Sequence, residues 1–145
     1  MLGASVHALA KALLFASVAA PEAGGESLTD ARGLASRHPL AATGFVVGAL
    51  AVIGVPPTLG YVAHWRIFSA AAADSLPMLA AMALGAMLMV AIYARAIALF
   101  WWGPEISPHP APPSYSRFML GAAVVLLALA LLVTGFWPRL LGGVA

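Results

Sequence analysis

The sequence predicts an all-α membrane protein of about four transmembrane helices, one of them broken at Pro56-Pro57. Two observations carry this prediction. Of the 145 residues, 63% are hydrophobic and 8% are charged, whereas soluble domains usually carry about 25% charged residues. The apolar residues also fall into four runs, each close to the roughly 20 residues that cross the hydrocarbon core. Because lipid offers the backbone no hydrogen-bond partners, each run is expected to be helical.

The whole chain, 1–145, is expected to form a single membrane domain. Its predicted helices are, in chain order, residues about 1–20, 39–63, 76–102 and 118–137. A polar loop, 21–38, follows the first helix, and a proline-rich loop, 103–117, precedes the last. Within the polar loop, the segment Ser27–Asp30 is expected to begin a short surface helix that ends at Ala35.

The composition excludes several functions. The chain has no cysteine, which rules out disulfides, thiol chemistry and iron–sulfur ligation. The spacing of histidines and carboxylates shows no metal-site pattern, and no glycine-rich phosphate loop is present. The net charge of +2 comes from scattered basic residues, which is not typical of nucleic-acid binding. No cofactor, metal or nucleic acid is therefore expected to bind this chain.

The first apolar run carries two basic residues, His7 and Lys11, which are four apart and share a helix face. A lysine at mid-bilayer costs about 3 kcal/mol, so Lys11 is expected to face the bundle interior or a hydrated cavity. A desolvated amine of this kind can exchange protons near neutral pH. Two alternatives remain. Lys11 snorkels to the interface, or residues 1–20 are a signal peptide, cleaved after the small residues Ala16–Ala20, which leaves three spans.

The second apolar run is interrupted near its middle. Pro56 and Pro57 remove two backbone donors and Gly60 follows them, so the helix is expected to break there. Broken membrane helices commonly line ion pathways, although a plain proline kink shows the same pattern. His64 lies just beyond the break, and histidine relays protons near neutrality. Its alternative role is that of an interfacial residue beside Arg66.

The third run contains Arg95, eight residues before Gly103. A guanidinium hardly deprotonates, which favours a structural role over proton transfer. Arg95 is expected either to snorkel to the nearer end of the helix or to anchor the helix through backbone carbonyls.

Taken together, these residues resemble a known family. His7-Ala-Leu-Ala-Lys-Ala-Leu-Leu-Phe15 is similar to the H-A-x-x-K-A-x-L-F motif of antiporter-like membrane subunits. Such subunits occur in respiratory complex I, the Mrp cation/proton antiporters and the energy-converting membrane hydrogenases. The same order of motifs continues with Gly54-Val-Pro-Pro57, Gly60-Tyr61, the ionisable His64, Tyr93-x-Arg95 and Phe100-Trp-Trp-Gly103. The resemblance covers about residues 1–68 well.

This resemblance implies a membrane-embedded proton channel. Lys11 matches the family's central lysine and His7 its relay histidine, while His64 stands where the family has a lysine or glutamate. Family members have about fourteen helices in two inverted repeats, so this chain would be the C-terminal part of the second repeat. It would then be a truncated or split subunit, completed by another chain that supplies the N-terminal helices.

The chain is expected to be a multi-pass protein of a bacterial or archaeal cytoplasmic membrane. It would be a proton-translocating subunit bound to other membrane subunits of an oxidoreductase or of a cation/proton antiporter complex. At most, the chain is one membrane subunit of a proton-translocating NADH-quinone oxidoreductase or hydrogenase, with the redox chemistry in partner subunits. An alternative function remains open, in which the chain is a structural membrane subunit that conducts nothing.

Overall fold

The computed structural model describes residues 2–23, 25–26, 32–104 and 115–137. The helices are α1 (Leu2–Ala23), α2 (Pro39–Ile53), α3 (Leu59–Asp74), α4 (Leu76–Ala96), which continues through a π-helical turn (Ile97–Trp101), and α5 (Tyr115–Phe136). No strand occurs over these ranges, which confirms the predicted all-α class. The surface helix predicted to begin at Ser27 has its first turn outside the described residues.

Three stretches are long and apolar enough to cross a membrane, namely Gly3–Ala23, Leu76–Trp101 and Phe118–Phe136. The chain is therefore an integral, multi-pass membrane protein. Helix α2 is apolar but has 15 residues, which corresponds to about 22 Å against a hydrocarbon core of about 30 Å. The second predicted span is consequently built from two helices. Its second part, α3, continues to Asp74 instead of ending near residue 63.

Helix α1 is central to the packing, because it contacts α2, α3 and α5. It buries one face, whose members are three or four residues apart, as a helix requires: Val6, Ala10, Leu13, Leu14, Ser17 and Ala20. Val52 of α2 and Val124 and Leu131 of α5 complete this core. Helices α1 and α2 approach closely at Gly48, where an added Cβ would lie 3.0 Å from Cγ of Leu14. Close approach through small residues is the usual packing of membrane helices.

A second, smaller core forms at the end of the bundle that carries the polar loop. Trp101, at the end of the π-helical turn, is fully buried against Leu34, Ala41 and Ala42. The backbone N–H of Ala35 donates to the Trp101 carbonyl at 2.9 Å. These contacts tie the end of the third span to the loop that precedes α2.

Helices α3 and α4 meet at Ser75, which serves both. Its N–H donates to the Ala71 carbonyl at 2.9 Å and ends α3, while its Oγ accepts from the Met78 N–H at 3.4 Å and begins α4. Pro77 follows in the first turn of α4. Backbone N–H groups in this turn have no partner within the helix, so the N–H that proline lacks is not missed. Helix α4 packs against α3 and α2, and none of its residues is buried. It is therefore an outer helix of the described bundle.

Candidate functional site at the broken helix

The predicted break at Pro56-Pro57 is present, and Gly54 starts it. Gly54 ends α2 in the left-handed conformation, with φ 85° and ψ 42°. Its N–H and that of Val55 both donate to the Leu50 carbonyl at 2.9 Å. A left-handed glycine with returning hydrogen bonds is a common helix C-terminus. Residues 55–58 are not helical, and Thr58 Oγ1 donates to the Val55 carbonyl at 2.7 Å across this loop.

After the loop, α3 does not continue from the end of α2. It starts alongside the last turn of α2, where Gly60 lies against the Ala51 backbone. A Cβ at Gly60 would collide with the Ala51 backbone carbonyl, so glycine is needed for the two helices to approach this closely. Helix α5 also reaches the break, with Gly135 in backbone contact with Pro57 and Thr58. The interruption is thus contacted by α2, α3 and α5, although Pro56 itself remains exposed.

His64 lies directly on this break. An added Cβ at Gly54 would be 2.6 Å from Cγ and 2.7 Å from Nδ1 of His64, so the imidazole packs against the Gly54 backbone. Nδ1 is 2.9 Å from the Gly60 carbonyl oxygen. A carbonyl can only accept, so Nδ1 carries the hydrogen of this bond. In the neutral ring Nε2 is then the nitrogen that can accept a proton, and no described group forms a hydrogen bond with it.

Lys11 and His7 lie outside the buried face of α1. Both are exposed, one turn apart, next to Ala8 and to Phe15, which is 72% exposed. Neither has a polar partner among the described residues. The amine therefore faces away from the described helices of this chain, whereas the sequence predicts that it faces the bundle interior or a hydrated cavity. The reason is that the inward face of α1 is closely packed with apolar and small side chains.

Lys11 lies near the middle of α1. It lies nine residues after Leu2 and twelve before Ala23, which is about 14 Å and about 18 Å along the axis. Lys11 is thus near the centre of a helix that is long enough to span the membrane.

The structure does not join the predicted site residues into one cluster. His7 and Lys11 share the outer face of α1, whereas His64 lies where α2 and α3 meet, and no hydrogen bond connects them in the described part of the chain. Arg95 is exposed on α4. The expected anchoring of Arg95 through backbone carbonyls is not observed, because no hydrogen bond to its side chain occurs among the described residues.

A polar cluster that the sequence does not single out lies at the other end of α2. Arg37 forms an ion pair with Glu26, and His38 Nε2 lies 3.7 Å from Glu26 Oε1. The side chains of His38 and Glu26 are 5% and 10% exposed, so this cluster is buried and fastens the polar loop to the start of α2. The signal in the sequence is the Arg-His pair directly before Pro39, a proline that begins a helix.

These features define a class: an all-helical, multi-pass membrane protein with basic side chains inside its spans and one broken helix. The chain belongs to the family described as NADH:quinone oxidoreductase/Mrp antiporter, TM, which its residues 1–90 match. This finding confirms the resemblance that the motifs indicate.

Two bacterial relatives give the extent of the similarity. The chain is 31% identical over 114 residues to NADH-quinone oxidoreductase subunit N 1 of Herpetosiphon aurantiacus, an alignment that covers 78% of this chain and 23% of that protein. It is 31% identical over 120 residues to the protein of the same name from Sorangium cellulosum, covering 82% and 24%. The chain therefore spans about a quarter of the length of the curated relatives it matches.

Proposed function

We propose that this chain is part of a proton-translocating, antiporter-like subunit of a membrane-bound NADH-quinone oxidoreductase. Membership of the family supports the class of complex. The observation that carries the transfer role is the pair of Lys11 and His7, held at mid-span on one face of α1 with no polar partner among the described residues.

Because Lys11 is exposed on α1, other protein groups or water must surround its amine within the membrane. An amine turned to lipid at this depth costs about 3 kcal/mol, so such groups normally face protein or water. We infer that helices of the family fold beyond this sequence pack on the outer face of α1 and enclose a hydrated seam. These helices come from the same polypeptide or from a second chain. The remaining partners are other membrane subunits of the complex.

Each basic residue has a distinct part in the proposed pathway. Lys11 holds a proton away from bulk water, and His7, one turn away, passes it on through water in the seam. His64 exchanges protons with one aqueous side through Nε2, because its Nδ1 is engaged by the Gly60 carbonyl. Two charges about 8 Å apart at an effective dielectric of about 20 repel by roughly 2 kcal/mol. A charge arriving at one group therefore favours proton release from its neighbour.

A structural role is the second candidate, and the same exposure supports it. Because Lys11 has no polar partner among the described residues, it is also placed to pair with an acidic group of a neighbouring subunit. In that case Lys11 would hold the assembly together and would never lose its proton.

Two substitutions at Lys11 separate these roles in the complex reconstituted into liposomes. Lys11→Arg keeps the positive charge but hardly releases a proton, whereas Lys11→Gln removes the charge. Proton transfer predicts that both variants lose pumping and that Lys11→Arg still assembles. The structural role predicts that Lys11→Arg pumps normally and that Lys11→Gln fails to assemble. Phe15→Leu, on the same face, is the matched control and should change neither property.

The measurements are the number of protons moved per electron delivered to quinone and the recovery of intact complex on native gels. A normal proton-to-electron ratio in Lys11→Arg would remove Lys11 from the mechanism.

The role of His64 is tested by a parallel pair. His64→Lys introduces a residue that the family resemblance allows at this position and should retain pumping, whereas His64→Gln cannot carry a proton and should lose it. Equal pumping by both variants would exclude His64 from the pathway.

A further inference from the structure

The backbone of α5 touches the break between α2 and α3 at a glycine. A Cβ added to Gly135 would lie 2.5 Å from the Thr58 carbonyl carbon and 2.6 Å from the Leu59 nitrogen, and it would collide with the Pro57 carbonyl oxygen. Non-bonded carbon atoms pack at about 3.5–4.0 Å, so a residue with a side chain fits here only if one of the two backbones moves. All three contacted atoms belong to the main chain, which cannot turn aside as a flexible side chain can.

The segment that Gly135 contacts is held by few hydrogen bonds. Thr58 is the N-cap residue of α3, yet its side chain makes no capping hydrogen bond to the described first turn of that helix. Its Oγ1 and its N–H both donate to the Val55 carbonyl, at 2.7 and 3.1 Å, and so they tie the loop to itself. A side-chain cap commonly fixes the start of a helix. Here the packing of the buried Thr58 and Leu59 has this role.

Both neighbouring helices limit where α3 can begin. Gly60 lies against the Ala51 backbone of α2, and Leu59 lies against α5 at Gly135. Helix α5 is itself held by Leu131, one turn before Gly135, which is fully buried in the core shared with α1. A methyl group at position 135 would therefore be accommodated mainly by a shift at the start of α3.

The start of α3 also holds the His64 imidazole. The Gly60 carbonyl accepts from Nδ1 at 2.9 Å, and hydrogen bonds of this type span about 2.7–3.2 Å. Relieving the contact at position 135 needs a shift of about 1 Å, which is enough to break this bond. The hydrogen bond that one ring nitrogen makes sets which nitrogen of a neutral imidazole is protonated. The position of the Gly60 carbonyl thus decides which nitrogen of His64 can accept a proton.

We propose that Gly135 is a positioning residue for His64. By admitting the α5 backbone to the break, it fixes the Gly60 carbonyl and thereby the tautomer in which Nε2 is the proton acceptor. Its contribution to proton transfer rests on the proposed function, whereas its effect on the imidazole does not. Helix α5 also packs along α1, so it contacts both the break and the helix that carries Lys11.

Nitrogen NMR of the full chain in lipid bilayers, with isotopically labelled histidine, measures this tautomer directly. The chain has four histidines, and the His64 signals are those that His64→Gln removes. At a pH at which the ring is neutral, the native protein should show His64 protonated on Nδ1. In Gly135→Ala the ratio of the Nδ1-protonated to the Nε2-protonated form should fall about 3- to 10-fold, which corresponds to the loss of one hydrogen bond.

Two control substitutions separate positioning from a general loosening of the bundle. Gly121→Ala is on the same helix, where a Cβ meets nothing within 4 Å, and should leave the tautomer unchanged. Gly44→Ala would collide with Val124 of α5, but it lies ten residues before Gly54 and thus far from the break. It should lower stability without changing the tautomer. An unchanged tautomer in Gly135→Ala, or an equal change in Gly44→Ala, would overturn the proposal.

A second background covers the case in which Gly135→Ala alone does not fold. The substitution is then combined with Gly85→Ala and Gly121→Ala, which replace two glycines in open positions by a better helix former. Failure to fold in this background as well would show that Gly135 serves folding in general and would overturn its specific role at His64.

Pumping by the reconstituted complex distinguishes this inference from the proposed function. Both His64→Gln and Gly135→Ala are expected to pump less than Gly121→Ala. If His64→Gln pumped normally while Gly135→Ala changed the tautomer, the proposed function would fail and the positioning role would stand. If His64→Gln lost pumping while the tautomer did not respond to Gly135→Ala, the positioning role would fail and the proposed function would stand.

Discussion

Replacing Gly54 with alanine is predicted to expel the His64 imidazole from the break. The backbone at Gly54 has φ 85°, a conformation that costs a residue with a Cβ about 1–2 kcal/mol. The added methyl would also lie 2.6 Å from Cγ and 2.9 Å from Cβ of His64, well inside the ~3.5–4.0 Å at which carbon atoms pack. The ring must move, and its hydrogen bond to the Gly60 carbonyl, worth about 0.5–1.5 kcal/mol, is lost. The free energy of unfolding should fall by about 2–3 kcal/mol in total.

The two parts of this cost can be separated by a double-mutant cycle. In a His64→Ala background the ring is absent, so Gly54→Ala should cost only the backbone part, about 1–2 kcal/mol. The difference between the two backgrounds is a coupling energy of about 1 kcal/mol, which is typical of residues in direct contact.

The assay is reversible unfolding of the detergent-solubilised protein, followed by circular dichroism. An identical cost of Gly54→Ala in both backgrounds would show that His64 does not rest on Gly54, and the geometry described for the break would be wrong. In the reconstituted complex, Gly54→Ala should also reduce proton transfer, because the imidazole no longer has its Gly60 partner.

Three further predictions concern stability and use the same unfolding assay. Gly60→Ala should lower the free energy of unfolding by at least about 2 kcal/mol, because its methyl would collide with a backbone carbonyl of α2. Gly121→Ala is the control: a Cβ there meets nothing within 4 Å, so its free energy of unfolding should stay within about 1 kcal/mol of the native value. Equal effects of the two substitutions would refute the close crossing of α2 and α3. Leu131→Ala, in the core at 0% exposure, should cost about 2–5 kcal/mol, and the exposed Leu126 should lose far less on the same change. Glu26→Gln should cost about 1–3 kcal/mol, because it removes the charge on one member of the ion pair with Arg37; an unchanged midpoint would mean that this ion pair does not fasten the loop.

The all-helical architecture was largely predictable, because the lipid bilayer that surrounds the chain dictates it. Lipid requires every spanning segment to satisfy its own backbone, so apolar runs of sufficient length predict helices whatever their side chains are. The break was predictable for an equally local reason, since Pro56 and Pro57 remove two amide donors. The start of α3 beside α2 was not predictable, because it depends on the contact of Gly60 with the backbone of Ala51 across the break, and no local pattern indicates how the chain turns there.

The orientation of Lys11 shows why the site was harder to predict. In a helix that is apolar nearly all round, periodicity does not show which face is buried. Leu13 and Leu14 are buried in the core whereas Lys11 is exposed, and the tertiary packing of α1 decides this. The hydrogen bond of His64 likewise depends on its position within α3 and on the glycine at the end of α2.

The Arg-His pair before Pro39 marks one half of the polar cluster, but its pairing with Glu26 was not predictable, since the members come from different parts of a loop with no periodic pattern. Arg37 and His38 lie eleven and twelve residues after Glu26, and only the fold brings them together.

The central claim is that position 11 faces a hydrated seam inside an assembly and not lipid. The direct measurement is the rate at which a small, water-soluble thiol reagent modifies Lys11→Cys in the intact complex, with Leu126→Cys, on an exposed apolar side of α5, as the reference. We predict that position 11 reacts readily while position 126 remains inert. If the two thiols were equally unreactive, Lys11 would have no aqueous path and the proposed proton transfer would be contradicted.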